Sequence, residues 1–393
     1  MKPTQRHSFT VDSVLLFMLL LLFIYSLLAV YSGSGQYQVQ DPYFYVKRQF
    51  AWYVIGGILM YVVMKFDYEL LPNLAWPLYG IGLFLLILVH FFGTYKNGSQ
   101  RWINLGGFLL QPSEFMKIFL IILLATILSK LSKHRATRFS FKQSISIVLL
   151  VGVVSIVPFF LILQQPDLGT ALVIGSIALT LILVSGISMK MIGLIVASIV
   201  AGIGFLVFLH NHYFDVFSKI IKSHQLDRIY GWLNPHEHAS NYGYQLTQSL
   251  LGIGSGQVKG TGFTNGIQVQ SGRIPEAHTD FIFAVIGEEF GFVGAAVLLA
   301  IYFIMLYRMV VIAFEANTLF ATYLVAGVIG LLTFQIYQNI AMTIGLMPVT
   351  GLALPLISYG GSALLTNMMA IGIVLGVSMR TKLYMFGNEQ KMS

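Results

Sequence analysis

The sequence predicts an all-α polytopic membrane protein with about ten transmembrane helices, and three observations carry that prediction. Of the 393 residues, 56% are hydrophobic and only 10% charged, with a mean hydropathy of +0.79. A soluble domain carries roughly 25% charged residues, so a soluble chain of this composition lacks the polar groups to cover its surface. The apolar residues also fall in blocks of about 20, the length that crosses ~30 Å of hydrocarbon at 1.5 Å per residue. Most of the charge sits in the connections between those blocks.

The first block, Val11 to Val30, is longer than a secretory signal core, and no small-x-small cleavage pattern follows at Tyr31 to Ser34. It reads as a retained first helix. The full set of expected spans is 12–31, 49–66, 74–92, 114–131, 145–163, 168–186, 189–210, 280–306, 318–345 and 356–379. Pro77 interrupts the third. Pro158 lies inside the fifth, where it requires a neighbour to satisfy the freed carbonyl.

Ten spans place both termini on one side. That side, with the even-numbered connections, holds 13 of the 23 Lys and Arg residues, five of them (Lys130, Lys133, Arg135, Arg138, Lys142) in one short loop. The positive-inside rule makes it cytoplasmic. The chain then reads as a single transmembrane domain, 1–393, in a plasma membrane, with one long extracytoplasmic connection, 211–279, between helices 7 and 8. The net charge of +8 reports this orientation rather than nucleic acid, which is not an expected partner. Cysteine is absent, so disulfides and thiolate metal sites are excluded.

A connection of that length carries function or is disordered, and this one is too aromatic for disorder. Phe214, Phe217, Ile220 and Ile221 recur at helical spacing among Lys219, Lys222 and Arg228. This predicts an amphipathic helix that lies on the leaflet or packs on the bundle. Gly252 to Gly272 is glycine-rich. Without Gly-Lys-Ser/Thr it is no nucleotide P-loop. It is either a flexible loop or, flanked by Lys259 and Arg273, an amide cradle for an anion. His236 and His238 resemble a metal pair but lack a third ligand.

Four polar groups stand where lipid would be expected, and such residues are functional candidates. In Arg101–Phe108 and Gln111–Lys117, Pro112 suits a helix's first turn, Glu114 and Lys117 are spaced to pair, and Trp102 suits an interface. Asp167, in Gln164–Thr170, either caps the sixth helix or holds a cation. Glu276, His278, Thr279, Asp280, Glu288 and Glu289 then enter an apolar helix; Glu276 and Asp280 stand one turn apart, so one carboxylate raises the other's pKa. A half-buried carboxylate of that kind suits a general base. Finally, Ile357–Ser362 opens the tenth helix with Ser358, Tyr359 and Ser362, which either pack closely or share a cavity with the acids.

Together the runs RWINLGGFLLQPSEFMK, QPDLGTAL, PEAHTDFIFAVIGEEFGFVG and PLISYGGSALLTN resemble the signature blocks of the SEDS family (shape, elongation, division and sporulation). The likeness extends over nearly the whole chain. It is closer to the elongation member of a rod-shaped Gram-positive bacterium than to the division member. The resemblance implies a peptidoglycan glycosyltransferase that polymerises lipid II at the outer face of the bacterial plasma membrane. It also implies a class B penicillin-binding protein and other elongation-complex membrane proteins as partners, and a divalent cation, Mg²⁺ or Mn²⁺, near Asp280. In that reading Asp280 is the catalytic aspartate, Trp102 lies near the site and Glu114 with Lys117 form an inward ion pair. Beyond what the resemblance implies, Gln111, Ser113, Asp167, Glu276, His278, Thr279, Ser358, Tyr359 and Ser362 are the candidates for binding or supporting the substrate. Cations among Arg101, Lys117, Lys259 and Arg273 meet the diphosphate. Two rival functions use the same helices: a lipid II flippase, which inverted repeats would favour, and a non-catalytic scaffold, which leaves the acids idle.

Overall fold

The computed structural model describes residues 11–388, apart from 37–40, 97–98, 105, 107, 134–138, 222, 236 and 238–241, and leaves aside the side chains of 96, 220, 224, 242 and 382–388. His236, His238, Lys222, Arg135 and Arg138 therefore fall wholly or in their side chains outside the described residues.

Seven long helices come first: α1 (Ser13–Gly33), α2 (Phe44–Lys65), α3 (Leu71–Phe92), α4 (Pro112–Ser132), α5 (Phe141–Gln164), α6 (Leu168–Val184) and α7 (Met189–His212). Five short ones follow: α8 (Phe214–Ile220), α9 (Ser223–Leu233), α10 (Tyr242–Gly256), α11 (Ile267–Gln270) and α12 (Ile282–Glu289). Three more long helices, α13 (Gly291–Glu315), α14 (Leu319–Thr343) and α15 (Gly361–Asn388), complete the bundle. Among the described residues eight segments are long and apolar enough to cross a membrane, and α6 is apolar but shorter. The remaining long helix, α2, carries Lys47 and Arg48 in its first turns. The chain is a multi-pass membrane protein.

Local chemistry explains the helix ends. Asp12 accepts from the Leu15 amide at 3.1 Å and pairs with Arg308 at 2.7 Å, so one carboxylate caps α1 and ties it to α13. Asp167, Ser188 and Thr318 cap α6, α7 and α14 in the same manner. Pro158 removes the donor that the Val154 carbonyl would have in α5, and Tyr79 of α3 supplies one at 2.8 Å. Close helix approach relies on small residues: a Cβ at Gly372 of α15 would stand 2.7 Å from the Met60 carbonyl of α2. The buried apolar core is continuous from α1 to α15, with 72% of the α14 span buried but only 6% of the α7 span.

Three features depart from the sequence reading. A small antiparallel sheet, β1 (Thr94–Lys96), β2 (Ser99–Asn104) and β3 (Leu109–Leu110), joins α3 to α4. The eighth span begins at Gly291 rather than 280, because the chain breaks between α12 and α13 at a glycine with φ +64°. The tenth begins at Gly361 rather than 356. The acids of the third polar group thus stand in turns and a short helix at the mouth of the bundle, not within a span.

Candidate functional site

Residues 275–281 form a turn ahead of α12. Its shape is set at Glu276, where φ is +50° and the carbonyl accepts from the amides of Thr279 (3.1 Å) and Phe281 (3.2 Å). Its next carbonyls need partners of their own, since buried carbonyls are obligatory acceptors. Three in succession are held from later in the chain. The Tyr359 amide donates to His278 O at 2.9 Å, Ser358 Oγ to Thr279 O at 2.6 Å, and Asn339 Nδ2 to Asp280 O at 2.7 Å. The His278 ring packs beside Tyr45 and Tyr359, with centroids 4.7 and 5.5 Å away. Ser358 and Tyr359 thus hold the turn.

The Asp280 side chain is partly buried, and no donor among the described residues is hydrogen-bonded to its carboxylate. The loop from α14 to α15 passes so close that a Cβ at Gly351, itself at φ +74°, would lie 3.1 Å from Oδ2. Burial pushes the Asp280 carboxyl up to about 6; Glu276 and Asp167 add to the rise, while Arg101 and Arg228 oppose it. The Glu276 carboxylate accepts from Thr279 Oγ1 at 2.9 Å.

Asp167 does more than cap α6. It accepts from Gln111 Nε2 at 3.0 Å and stands 3.4 Å from the Arg101 guanidinium, which anchors the sheet over the mouth. Arg101 is further fixed by Ser99 Oγ at 2.6 Å and lies 5.1 Å over the Trp102 ring. Gln111 Nε2 also reaches Ser113, and Ser362 Oγ bridges the Gln111 amide (3.1 Å) and Leu109 carbonyl (3.0 Å). The first, second and fourth polar groups therefore meet around the third. Glu114 and Lys117 pair at 2.6 Å with Thr366 also on Glu114, but Lys117 is 1% exposed, sealed within the bundle rather than open to the mouth.

The amides of the glycine-rich run meet a carboxyl group of the protein itself rather than a ligand. Glu288, fully buried, accepts from the amides of Gln268 (2.7 Å) and Val269 (3.0 Å) and from Ser255 Oγ (3.4 Å). The run wraps the α12–α13 break so tightly that a Cβ at Gly260 would meet the Glu289 carbonyl at 2.1 Å. It is α10, α11 and a packed clamp rather than a flexible loop. Lys259 and Arg273 are exposed on its outside, and neither is among the charges that act on Asp280.

Sequence reasoning missed two side chains. Arg228 was seen only as part of a basic helix face; the helix breaks into α8 and α9, and α9 packs on the bundle through Arg228 to Val349 O (3.1 Å) and Trp232 to Gly345 O (2.8 Å). Asn339 sits in an apolar span whose few amides gave no pattern. The assembled mouth offers one carboxylate that no donor among the described residues bonds, two guanidinium groups whose charges act on it and a wall of turns. Among the described residues no three His, Cys, Asp or Glu side chains converge as a metal cage.

A model of the FTSW_RODA_SPOVE family, described as "Cell cycle protein", matches residues 12–383. Stage V sporulation protein E of Bacillus subtilis is 36% identical over 93% of this chain and 96% of its own. The peptidoglycan glycosyltransferase MrdB of Escherichia coli K12 is 34% identical over 97% of each. A chain solved in work on structural coordination of polymerization and crosslinking by a peptidoglycan synthase complex superposes with a TM-score of 0.77 at 28% identity, covering 95% of this chain and 98% of that one.

Proposed function

The chain belongs to the FtsW, RodA and SpoVE family of peptidoglycan glycosyltransferases, and we propose that it polymerises lipid II into β-1,4 glycan with Asp280 as general base. The observation that carries this is the Asp280 carboxyl, its pKa raised to about 6 and bonded by no donor among the described residues, at a mouth where the charges of Arg101 and Arg228 act on it. A base must be ionised yet basic near the working pH. In the reaction Asp280 takes the proton from the C4 hydroxyl of the acceptor GlcNAc. That oxygen bonds to C1 of the donor MurNAc as the C1–O bond to undecaprenyl diphosphate breaks, and the diphosphate leaves with the electron pair. A single displacement inverts C1. Arg101 and Arg228, whose charges already act on Asp280, are the cations that would meet the developing charge.

A divalent cation fits this donor set only in company with substrate. Mg²⁺ keeps several waters and binds through one or two carboxylates plus phosphates; Glu276 would hold it, leaving Asp280 as the base, and bound there it would neutralise diphosphate charge. The site faces the outside of the bacterial plasma membrane, as the Lys/Arg bias toward the opposite end supports. The role is cell elongation and rod-shape maintenance with a class B penicillin-binding protein, in line with the likeness to a chain of a peptidoglycan synthase complex.

The test uses the purified chain and Asp280→Ala, each with a class B partner whose transpeptidase is inactivated, supplied with fluorescent lipid II and Mn²⁺. A glycan ladder from the wild type alone supports the reading. A ladder that survives the substitution removes Asp280 as base, an α-linked product removes inversion, and no ladder from a folded complex favours a flippase.

A further inference from the structure

We propose that Asn339 is a positioning residue for Asp280, holding its backbone and the loop against its carboxylate in one fixed relation; this rests on the reading of Asp280 as the base. Asn339 lies in the last two turns of α14 and is fully buried. Both hydrogens of its Nδ2 are used: one on Asp280 O at 2.7 Å, the other on Leu352 O at 2.7 Å. Both neighbours are acceptors, so the NH₂ end of the amide must face them.

The two bonds act on the two backbones that define the base's surroundings. Asp280 O has no helical donor, because the Ala284 amide turns to Phe281 O at 2.9 Å instead. Leu352 follows Gly351, whose backbone lies against Asp280 Oδ2. Asn339 therefore links the carboxylate's root to the wall that it faces. The bonds from Ser358 and Tyr359 stop one and two residues short of Asp280.

The geometry of an amide is specific to this task. Aspartate of the same length offers no donor, alanine offers nothing, and serine offers one hydrogen and so can hold only one of the two carbonyls. The charges around Asp280 come from separate parts of the chain: Glu276 in its own turn, Arg101 on β2, Asp167 at the start of α6 and Arg228 on α9. A turn released from Asn339 shifts the carboxylate relative to all four and to the sugar hydroxyl. Misplacement of a catalytic group by about 1 Å can cost on the order of 100-fold in rate.

The experiment measures initial rates of fluorescent lipid II polymerisation against pH and substrate. It compares wild type, Asn339→Ala, Asn339→Ser and Asp280→Ala, each the full chain with its transpeptidase-inactive partner. The expected result for Asn339→Ala is a kcat lower by roughly 10- to 100-fold, a KM within about two-fold and a displaced pH midpoint, with Asn339→Ser intermediate. A merely structural residue would lower the yield of folded protein and leave specific activity and the pH midpoint untouched, which overturns the proposal. If Asn339→Ala does not fold, Asn339→Ser carries the same test on kcat and midpoint. A ladder from Asp280→Ala overturns the base reading itself, whereas a dead Asp280→Ala beside fully active Asn339 variants overturns only the positioning.

Discussion

Asp280 and Glu288 lie eight positions apart in one acidic stretch, and their surroundings are opposite. Glu288 is fully buried and meets two backbone amides and a hydroxyl. Asp280 is partly open; its backbone carbonyl is tied down while no donor among the described residues is hydrogen-bonded to its carboxylate. A carboxylate saturated with donors has its oxygens committed to holding backbone in place. One deprived of donors retains its basicity. The difference separates an acid that builds the structure from one available for chemistry, and nothing in residue type announces it.

Exchanging the two roles by mutation is the most severe way to break that contrast. Asp280→Ala should lower lipid II polymerisation by at least ~100-fold with its thermal midpoint near that of wild type. Glu288→Ala should do the reverse, losing about 3–5 kcal/mol of stability by stranding two buried amides, while the protein that does fold keeps its specific activity. Gel assay and thermal unfolding of the same preparations check both.

Gly260→Ala attacks the same clamp without touching charge. The position needs φ +83° and has no room for a Cβ beside the Glu289 carbonyl, so a cost of about 1–3 kcal/mol is expected. Protease sensitivity of residues 252–272 should rise with it; an unaltered digestion pattern would mean that the clamp has slack.

The smallest effects concern protons. With Asp280 raised to about 6, polymerisation should fall as pH drops through about 6, and a profile flat from 5 to 8 would contradict the base assignment. The same rise bears on folding. A carboxyl whose folded pKa exceeds its unfolded value contributes stability below about 4 and loses it as pH climbs through about 6. Asp280→Asn should therefore be more stable than wild type at pH 7, by no more than about 3 kcal/mol, and equal to it below pH 4.

Much of this was legible in the sequence. The apolar blocks placed most long helices within a few residues, the eighth span being the exception, and the i, i+3 spacing of Glu114 and Lys117 announced their ion pair. The cap at Asp167 is one of the roles that its residue type and place in the sequence allow. What stayed hidden is non-local. Arg228 acquires its meaning from Val349, and Asn339 from Asp280; periodicity says nothing about such pairs. The glycine-rich run was left open between a flexible loop and a cradle for an anionic ligand; its amides instead meet Glu288, a side chain on another element. The break at Gly291 was invisible because hydropathy runs straight through it.

The donors that suspend the Asp280 turn also fix when the site comes into being. Asn339 follows Asp280 by 59 positions, and Ser358 follows Thr279 by 79. At a synthesis rate of about 5–20 residues per second, the turn leaves the ribosome roughly 4–16 s before its last donor. A nascent chain that stops after the eighth span carries every acid of the third group and still has no assembled site. On the proposed reading, insertion of α14 and α15 is thus the step that arms the molecule, and a chain left half-made in the membrane stays silent.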